Sequence, residues 1–318
     1  MFKIDPTTNL KYFTTPEVRL VAYTRPEQGE LDHYMKEYGL VLEDYNLSDP
    51  QFLIEFAGRH CYMAFGDNVG SKSNQDYLHN ITDHKHYSVL EHLSFTFLFR
   101  GISRGFTHEA VRHRHLSPSQ FSTRYCKTKD MCFVIPQLED DITEYLAHCQ
   151  NCITQYSYHY RSIYNKLKQE TPQVSIVKLR KKAKGAARSY LPIGMEAPII
   201  LSGNLRSWRE FVEKRYSKEA ETEINQVALQ VYQILTKVVP NGILNMSTTK
   251  QLPYFASVKA KVSFDWGNGK HIIGDRMCKE CAYGYPIRCH CDGVLHADDT
   301  GSDGISFRCD KCGLEELR

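Results

Sequence analysis

The stretch "GISRGFTHEAVRHRHLSPSQFSTRY", residues 101–125, contains a cluster of arginines and histidines for which the fold must provide partners or solvent. Its second half places three guanidinium groups close together, on Arg112, Arg114 and Arg124, and interleaves them with serines. A solvated basic face does not require the serines, and a buried segment can hold arginine only beside anionic partners. The stretch therefore predicts a place where a negatively charged ligand is held.

The residues around this motif predict a strand and then a helix. Phe95, Phe97 and Phe99 occupy alternate positions, a period of two that is typical of a strand with one buried face. Residues 105–117, "GFTHEAVRHRHLS", follow with a helical pattern. The cationic motif is therefore expected at the end of a helix and in the loop that follows it.

The remaining pattern is rich in helices. Apolar residues recur every three or four positions through residues 141–170, which predicts a long amphipathic helix. A basic helix over residues 178–188 is expected to end before Pro192. Further helices are predicted over residues 51–65, 207–216 and 219–239, and further strands over residues 18–24 and 197–203. This mixture predicts a helix-rich α+β fold.

Composition narrows the class of protein. The chain has 318 residues, of which 42% are hydrophobic and 24% charged, as in ordinary globular proteins. Its formal net charge of +3 is too small to indicate nucleic-acid binding by itself. No apolar run approaches the roughly 20 residues that span a bilayer, and the N-terminal sequence lacks the apolar core of a signal peptide. We therefore expect a cytoplasmic protein without membrane contact.

The cysteines are concentrated in a C-terminal tail. Six of the 11 cysteines lie between Cys278 and Cys312. Two tight pairs separated by a turn-rich span are typical of a zinc ribbon. The predicted zinc ligands are Cys289, Cys291, Cys309 and Cys312.

Two other cysteines leave the ligand set open. Cys278 and Cys281 could replace one of the pairs, or could join His290 or His296 in a second site. The helical pattern stops near residue 245. We therefore predict a catalytic domain over residues 1–245, a linker over 246–276 and a small C-terminal zinc ribbon over 277–318.

Two further segments and one isolated arginine also supply cationic and polar side chains of the kinds found in the opening motif. They are "DHKHYSVLEH" (83–92), "GNLRSWREFVEKRY" (203–216) and Arg188. Arginine makes forked contacts with phosphate and with carbonyl edges, and serine-rich turns offer backbone N–H groups to phosphate. Together these segments indicate a site for a phosphorylated nucleotide.

These residues resemble those of the flavin-dependent thymidylate synthases. Arg112, His113, Arg114 and, after seven further residues, Ser122 fit the family's signature. Five blocks follow the family's order over roughly residues 15–240: "EFAGRHCY", "HYSVLEH", "GISRGFTHEAVRHRHLSPSQFSTRY", "AARSYLP" and "SGNLRSWREFVEKR". The cysteine-rich tail falls outside the family's usual extent.

The resemblance implies an activity and an assembly. The family makes dTMP from dUMP with methylenetetrahydrofolate as carbon donor, NADPH as reductant and FAD bound between the subunits of a homotetramer. Arg215 would be the catalytic residue, facing the uracil edge. The implied dUMP contacts are Glu109, Arg112, Gln120, Phe121, Ser122, Thr123, Arg124, Arg188 and Arg215. The implied flavin contacts are His86, Ser88, Glu91, Arg112, His113, Arg114, Asn204 and Arg206.

The chain departs from the family pattern at two positions. Glu219 stands four residues after Arg215, where the family commonly has a histidine on the flavin side, and Glu210 stands six residues after Asn204. A carboxylate near a flavin or a phosphate is unfavourable unless it is paired or solvated.

Three alternative functions remain on sequence alone. A relative that hydroxymethylates a pyrimidine deoxynucleotide would share every motif quoted above. The zinc tail could bind nucleic acid beside an inactive enzyme core. Metal-dependent hydrolysis through the H-x-H pairs is a weaker interpretation, because no nearby Asp or Glu completes a ligand set; those pairs are His84 with His86 and His113 with His115.

Overall fold

The computed structural model describes residues 2–40, 49–65, 73–125, 131–217, 219–243 and 246, together with three strands of the tail. The chain divides into two compact units, Met1–Leu252 and Pro253–Arg318. No described helix is long and apolar enough to cross a membrane.

Helices make up most of the first unit. They are α1 (Gln28–Glu37), α2 (Pro50–His60), α3 (Asn74–Asp83), α4 (Arg104–Ala110), α5 (Ile142–Glu170), α6 (Ile176–Ala187), α7 (Leu205–Arg215) and α8 (Thr222–Val238). Short 3₁₀ turns cover Tyr87–His92, Arg188–Tyr190 and Pro240–Ile243. The helix-rich α+β prediction is confirmed for this unit.

Two small sheets accompany these helices. Their strands are β1 (Lys3–Ile4), β2 (Lys11–Phe13), β3 (Glu17–Tyr23), β4 (Ser94–Arg100), β5 (Ser117–Gln120), β6 (Cys132–Val134) and β7 (Ile199–Asn204). One sheet has the order β1-β2-β6, and the other has the antiparallel order β3-β4-β7-β5. The second sheet carries the segments of the predicted site.

The main core lies between this second sheet and the helices α7 and α8. Phe95, Phe97 and Phe99 are buried, as their alternation predicts. Trp208 of α7 is fully buried, meets the ring of Phe97 edge-on at 4.8 Å and donates a hydrogen bond from its indole nitrogen to the Phe95 carbonyl. This packing fixes α7 on β4, and therefore fixes where the cationic end of α7 emerges.

The opening motif folds differently from its prediction. The helix α4 ends at Ala110, and the N–H groups of Arg112 and His113 bond to the carbonyls three residues before them. Residues 117–120, expected as a loop, form the edge strand β5 against β7. Serine and proline in "SPSQ" are typical of loops. An edge strand nevertheless tolerates a proline, because the backbone N–H groups on its outer side have no neighbouring strand to bond to.

In the second unit, the described residues are β8 (Leu295–Asp299), β9 (Ile305–Cys309) and β10 (Glu315–Leu317). They form an antiparallel sheet in the order β10-β9-β8. Cys309 ends β9, but its side chain is not described, and the other predicted ligands Cys289, Cys291 and Cys312 lie outside the described residues. The zinc ribbon stays a prediction.

Candidate functional site

The ends of α4 and α7 meet through a carboxylate and a guanidinium group. Arg215, the last residue of α7, donates from Nη1 to Oε2 of Glu109 at 2.6 Å. The other oxygen of Glu109 lies 3.4 Å from Nη1 of Arg112. One carboxylate therefore contacts both arginines, and the Arg215 side chain is only 20% exposed.

The second contact of Arg215 is with an imidazole ring. Its Nε donates to Nε2 of His113 at 2.9 Å. Because a guanidinium N–H can only donate, Nε2 must be unprotonated, and the neutral ring carries its proton on Nδ1. Burial, followed by the positive charges of Arg215 and Lys214, lowers the pKa of His113 to about 4. The ring is therefore neutral near pH 7.

These two contacts use Nε and Nη1 of Arg215, so Nη2 remains for a ligand. Its Nη2 has no hydrogen-bond partner among the residues that the structure describes. Glu109 and His113 thus orient the guanidinium group and leave one donor edge, which suits a carbonyl or a phosphate oxygen.

These side chains border a cavity of about 430 Å³. Its walls are the turn after α4 and one side of α7. The lining residues are Arg112, His113, Arg114, His115, Leu116, Ser207, Glu210, Lys214 and Arg215. Four of them are permanent cations and only Glu210 is acidic. The lining therefore favours an anionic ligand.

The turn lies against β7 because of a glycine. A Cβ on Gly203 would come within 2.4 Å of Cδ2 of Leu116 and 3.3 Å of the carbonyl oxygen of His115. Leu116 is buried, so this close approach fixes the turn on the sheet. The strand β7 leads directly into α7, so one wall of the cavity packs against β7 and the other continues from it.

The two departures from the family pattern have different surroundings. Glu210 lines the cavity and accepts a hydrogen bond from Lys214 at 2.5 Å. Lys214, and then the histidines nearby, lower the pKa of Glu210. Glu219 is exposed to solvent. One carboxylate is therefore paired and the other solvated, which are the two conditions that make such a charge tolerable.

The expected flavin residues outside the motif lie around the start of α7. Asn204 caps the helix and accepts from the N–H and the hydroxyl of Ser207, which lines the cavity. Arg206 donates to Glu91 at 2.6 Å, joining α7 to the turn Tyr87–His92. Ser88 and His86 are exposed at the start of that turn, and no described side-chain contact links either of them to the cavity.

The remaining expected nucleotide residues lie outside the lining of the cavity, at the end of β5, in the residues after it, and after α6. Gln120 donates to the hydroxyl of Thr107 on α4 at 2.9 Å, and the N–H of Phe121 bonds to the Pro198 carbonyl. Ser122 is half-buried and its carbonyl accepts from the N–H of Tyr125, while Thr123 is buried.

The two remaining arginines of this group, Arg124 and Arg188, are exposed. Arg124 passes beside Gly185 of α6. Arg188, at the end of α6, is close enough to Arg104 for its charge to lower the pKa of Arg104, after the larger effect of burial.

Several cations near these residues escaped the sequence analysis. Lys184 donates to the Tyr125 carbonyl at 3.2 Å, and the ammonium group of Lys181 lies 4.9 Å from the centre of the Tyr125 ring. Lys214 and Arg104 were also missed. For Lys181 and Lys184, the absence of acidic residues from residues 176–187 was a hint, but that pattern is equally typical of a solvated basic helix.

Metal binding finds no support in the described part of the chain. No group of three His, Cys, Asp or Glu side chains there could hold a metal ion. The rings of His84 and His86 lie 6.0 Å apart, and Nδ1 of His84 bonds to the Asn80 carbonyl, whereas Nε2 of His113 accepts from Arg215.

The contact between His113 and Arg215 predicts a particular acid response. The unfolded chain takes up a proton on His113 below its usual pKa of 6.5, whereas the folded chain does so near 4. Acidification through that window therefore favours unfolding. We expect NMR titration of the ring to give a pKa well below 6.5 and Arg215→Met to raise it. A ring that titrates normally would contradict the geometry.

Comparison with known proteins identifies the family of the chain. Residues 41–241 match the family model described as "Thymidylate synthase complementing protein". A "Flavin-dependent thymidylate synthase" of Mycobacterium tuberculosis (strain ATCC 25618 / H37Rv) is 40% identical over 204 residues, which cover 62% of this chain and 80% of the relative. That of Mycobacteroides abscessus (strain ATCC 19977) is 38% identical over 191 residues, which cover 59% and 76%. The chain belongs to the flavin-dependent thymidylate synthase family.

Proposed function

We propose that the protein converts dUMP to dTMP, with FAD as bound cofactor, methylenetetrahydrofolate as carbon donor and NADPH as reductant. The observation that carries the proposal is the orientation of Arg215. Its guanidinium group is fixed by Glu109 and His113 and keeps one donor edge. A fixed cation at the uracil edge stabilises the negative charge that develops when C5 attacks a one-carbon unit.

The chemistry of the lining supports FAD as the cofactor. Arg112, Arg114 and Lys214 offer cationic donors to phosphate or to an electron-rich ring, and Asn204 and Arg206 stand at the neighbouring helix start. When bound, FAD supplies the hydride and relays the one-carbon unit. The protein's own part is then positioning and electrostatics, without a protein nucleophile.

The phosphate of dUMP would be held outside the cavity lining, by Ser122, Arg124 and Arg188. Ser122 and Arg124 follow β5. Arg188 lies at the end of α6, close to Arg104 at the start of α4. We propose, from the family resemblance, that the active form is a homotetramer in which neighbouring subunits complete each site.

Product analysis tests the proposed function. The purified protein should show flavin absorbance and, with NADPH, methylenetetrahydrofolate and dUMP, should form a nucleotide with the mass of dTMP. A product heavier than dTMP by one oxygen atom would show that the enzyme hydroxymethylates the nucleotide and is not a thymidylate synthase. A protein that neither contains nor binds FAD would contradict both activities and would leave the zinc tail as the place to look for nucleic-acid binding.

Replacement of Arg215 gives a sharper test of the mechanism. Arg215→Lys keeps a cation but loses the geometry that Glu109 and His113 impose, so we expect kcat/KM for dUMP to fall by about 100-fold or more. Arg161→Lys on α5 makes the same exchange as a control and should leave kcat/KM unchanged. Equal values of kcat/KM for the two variants would show that Arg215 has no catalytic role.

For the tail, we propose one structural zinc bound by Cys289, Cys291, Cys309 and Cys312. The antiparallel strands β8, β9 and β10 and the tight cysteine spacing support it. Elemental analysis should find about one zinc per chain, lost on Cys309→Ser but retained on Cys61→Ser, an exposed cysteine of the first unit. A zinc-free protein purified without chelator would contradict the ribbon.

A further inference from the structure

The first turns of α8 contain a half-buried carboxylate that does not line the cavity. Glu223 accepts two hydrogen bonds from Ser103, one from its backbone N–H and one from its hydroxyl, both at 2.6 Å. Ser103 is the N-cap of α4, and its hydroxyl oxygen in turn accepts from the N–H of Phe106. Glu223 therefore fixes the start of the helix that carries Glu109.

A second polar side chain, which is buried, lies two residues further along α8. Asn225 donates from Nδ2 to the carbonyl of Ser217 at 2.7 Å. Ser217 lies just beyond Arg215, so this bond holds the segment in which α7 ends. Asn225 thus fixes the other partner of the ion pair that orients the site.

The Asn225 side chain contains a buried oxygen that lowers the stability of the fold. Its Oδ1 is buried and has no hydrogen-bond partner in the described part of the molecule. A buried polar atom without a partner costs free energy. An apolar residue of similar size would avoid that cost, but it could not hold the Ser217 carbonyl.

We propose that Glu223 and Asn225 are positioning residues that together set the contact between Glu109 and Arg215. Each holds one of the two elements, α4 and the end of α7, whose charged side chains meet at 2.6 Å. Since both project from the start of one helix, α8 fixes the spacing between the two elements, and loss of either attachment releases one partner from the other. Their importance for catalysis rests on the proposed function, whereas their effect on the geometry does not.

The same helix offers a matched control. Gln230 accepts from the N–H of Val18 at 3.1 Å and donates to the carbonyl of Pro16 at 3.0 Å. Like Glu223, it attaches α8 to another element through two hydrogen bonds. Its target is β3 and the residue before that strand, away from the cavity, so its loss should affect stability alone.

The experiment compares Glu223→Gln, Asn225→Leu and Gln230→Leu in the full chain. Three quantities are measured: the melting temperature, the NMR titration of the His113 ring and the affinity for dUMP by calorimetry. His113 reports on the geometry directly, because the charge of Arg215 contributes to its lowered pKa. If Arg215 moves away, the pKa of His113 rises towards 6.5.

We expect the two positioning variants to differ from the control. Glu223→Gln and Asn225→Leu should raise the pKa of His113 and weaken dUMP binding roughly tenfold, the scale of one lost hydrogen bond to a charged group. Gln230→Leu should lower the melting temperature and change neither. Asn225→Leu should lose little thermal stability, because it also removes the unpaired oxygen.

The proposal is wrong if Glu223→Gln and Asn225→Leu leave the His113 titration at its wild-type value. It is also wrong if all three variants raise that pKa in proportion to their loss of melting temperature. A wild-type protein that binds no dUMP would sink the proposed function, and the His113 titration would still decide the positioning roles of Glu223 and Asn225.

Discussion

The ion pair between Glu109 and Arg215 is the contact on which the site depends. A guanidinium group that is only 20% exposed needs an anionic neighbour to offset its lost hydration. Glu109 provides that neighbour from a different element, 106 residues earlier in the chain. The pair therefore ties α4 to α7. The sheet, the capping contacts of the helices, and Glu223 and Asn225 of α8 each help to hold the ends of α4 and α7 together.

The charge around the cavity is unbalanced in a way that matters for binding. Four permanent cations line it, and the one acidic lining residue, Glu210, is already paired with Lys214. The neutral His113 ring avoids adding a further positive charge between them. The cavity therefore suits an anionic ligand, and the neutral His113 ring does not repel the Arg215 guanidinium group beside it.

Much of this arrangement could be predicted from the sequence. The alternating phenylalanines of β4 predict its buried face, and the dense arginines of residues 112–114 predict a cationic segment, which lines the cavity. Such signals are local, because they depend on periodicity or on residue type within a short window.

Other features could not be predicted, because they depend on contacts between distant residues. Residues 117–120 are a strand only because β7 lies beside them. Gly203 matters only because Leu116 packs against it. Glu223 looks like an ordinary helix-start carboxylate until Ser103 is placed next to it. The pairing of Glu210 and the solvation of Glu219 likewise require the fold, although both departures are visible in the sequence.

The pairing of β4 with β7 has a consequence for the order in which the protein folds. The strands join in register from Ser94 with Asn204, so a loop of about a hundred residues must close before they meet. Helices α5 and α6 lie within that loop and pack on each other through local contacts, which form quickly. Helical signal should therefore appear early in refolding, while the cavity between α4 and α7 assembles late. Formation of the cavity then marks the completion of folding, and a nascent chain cannot form it until α7 has been synthesised and docked.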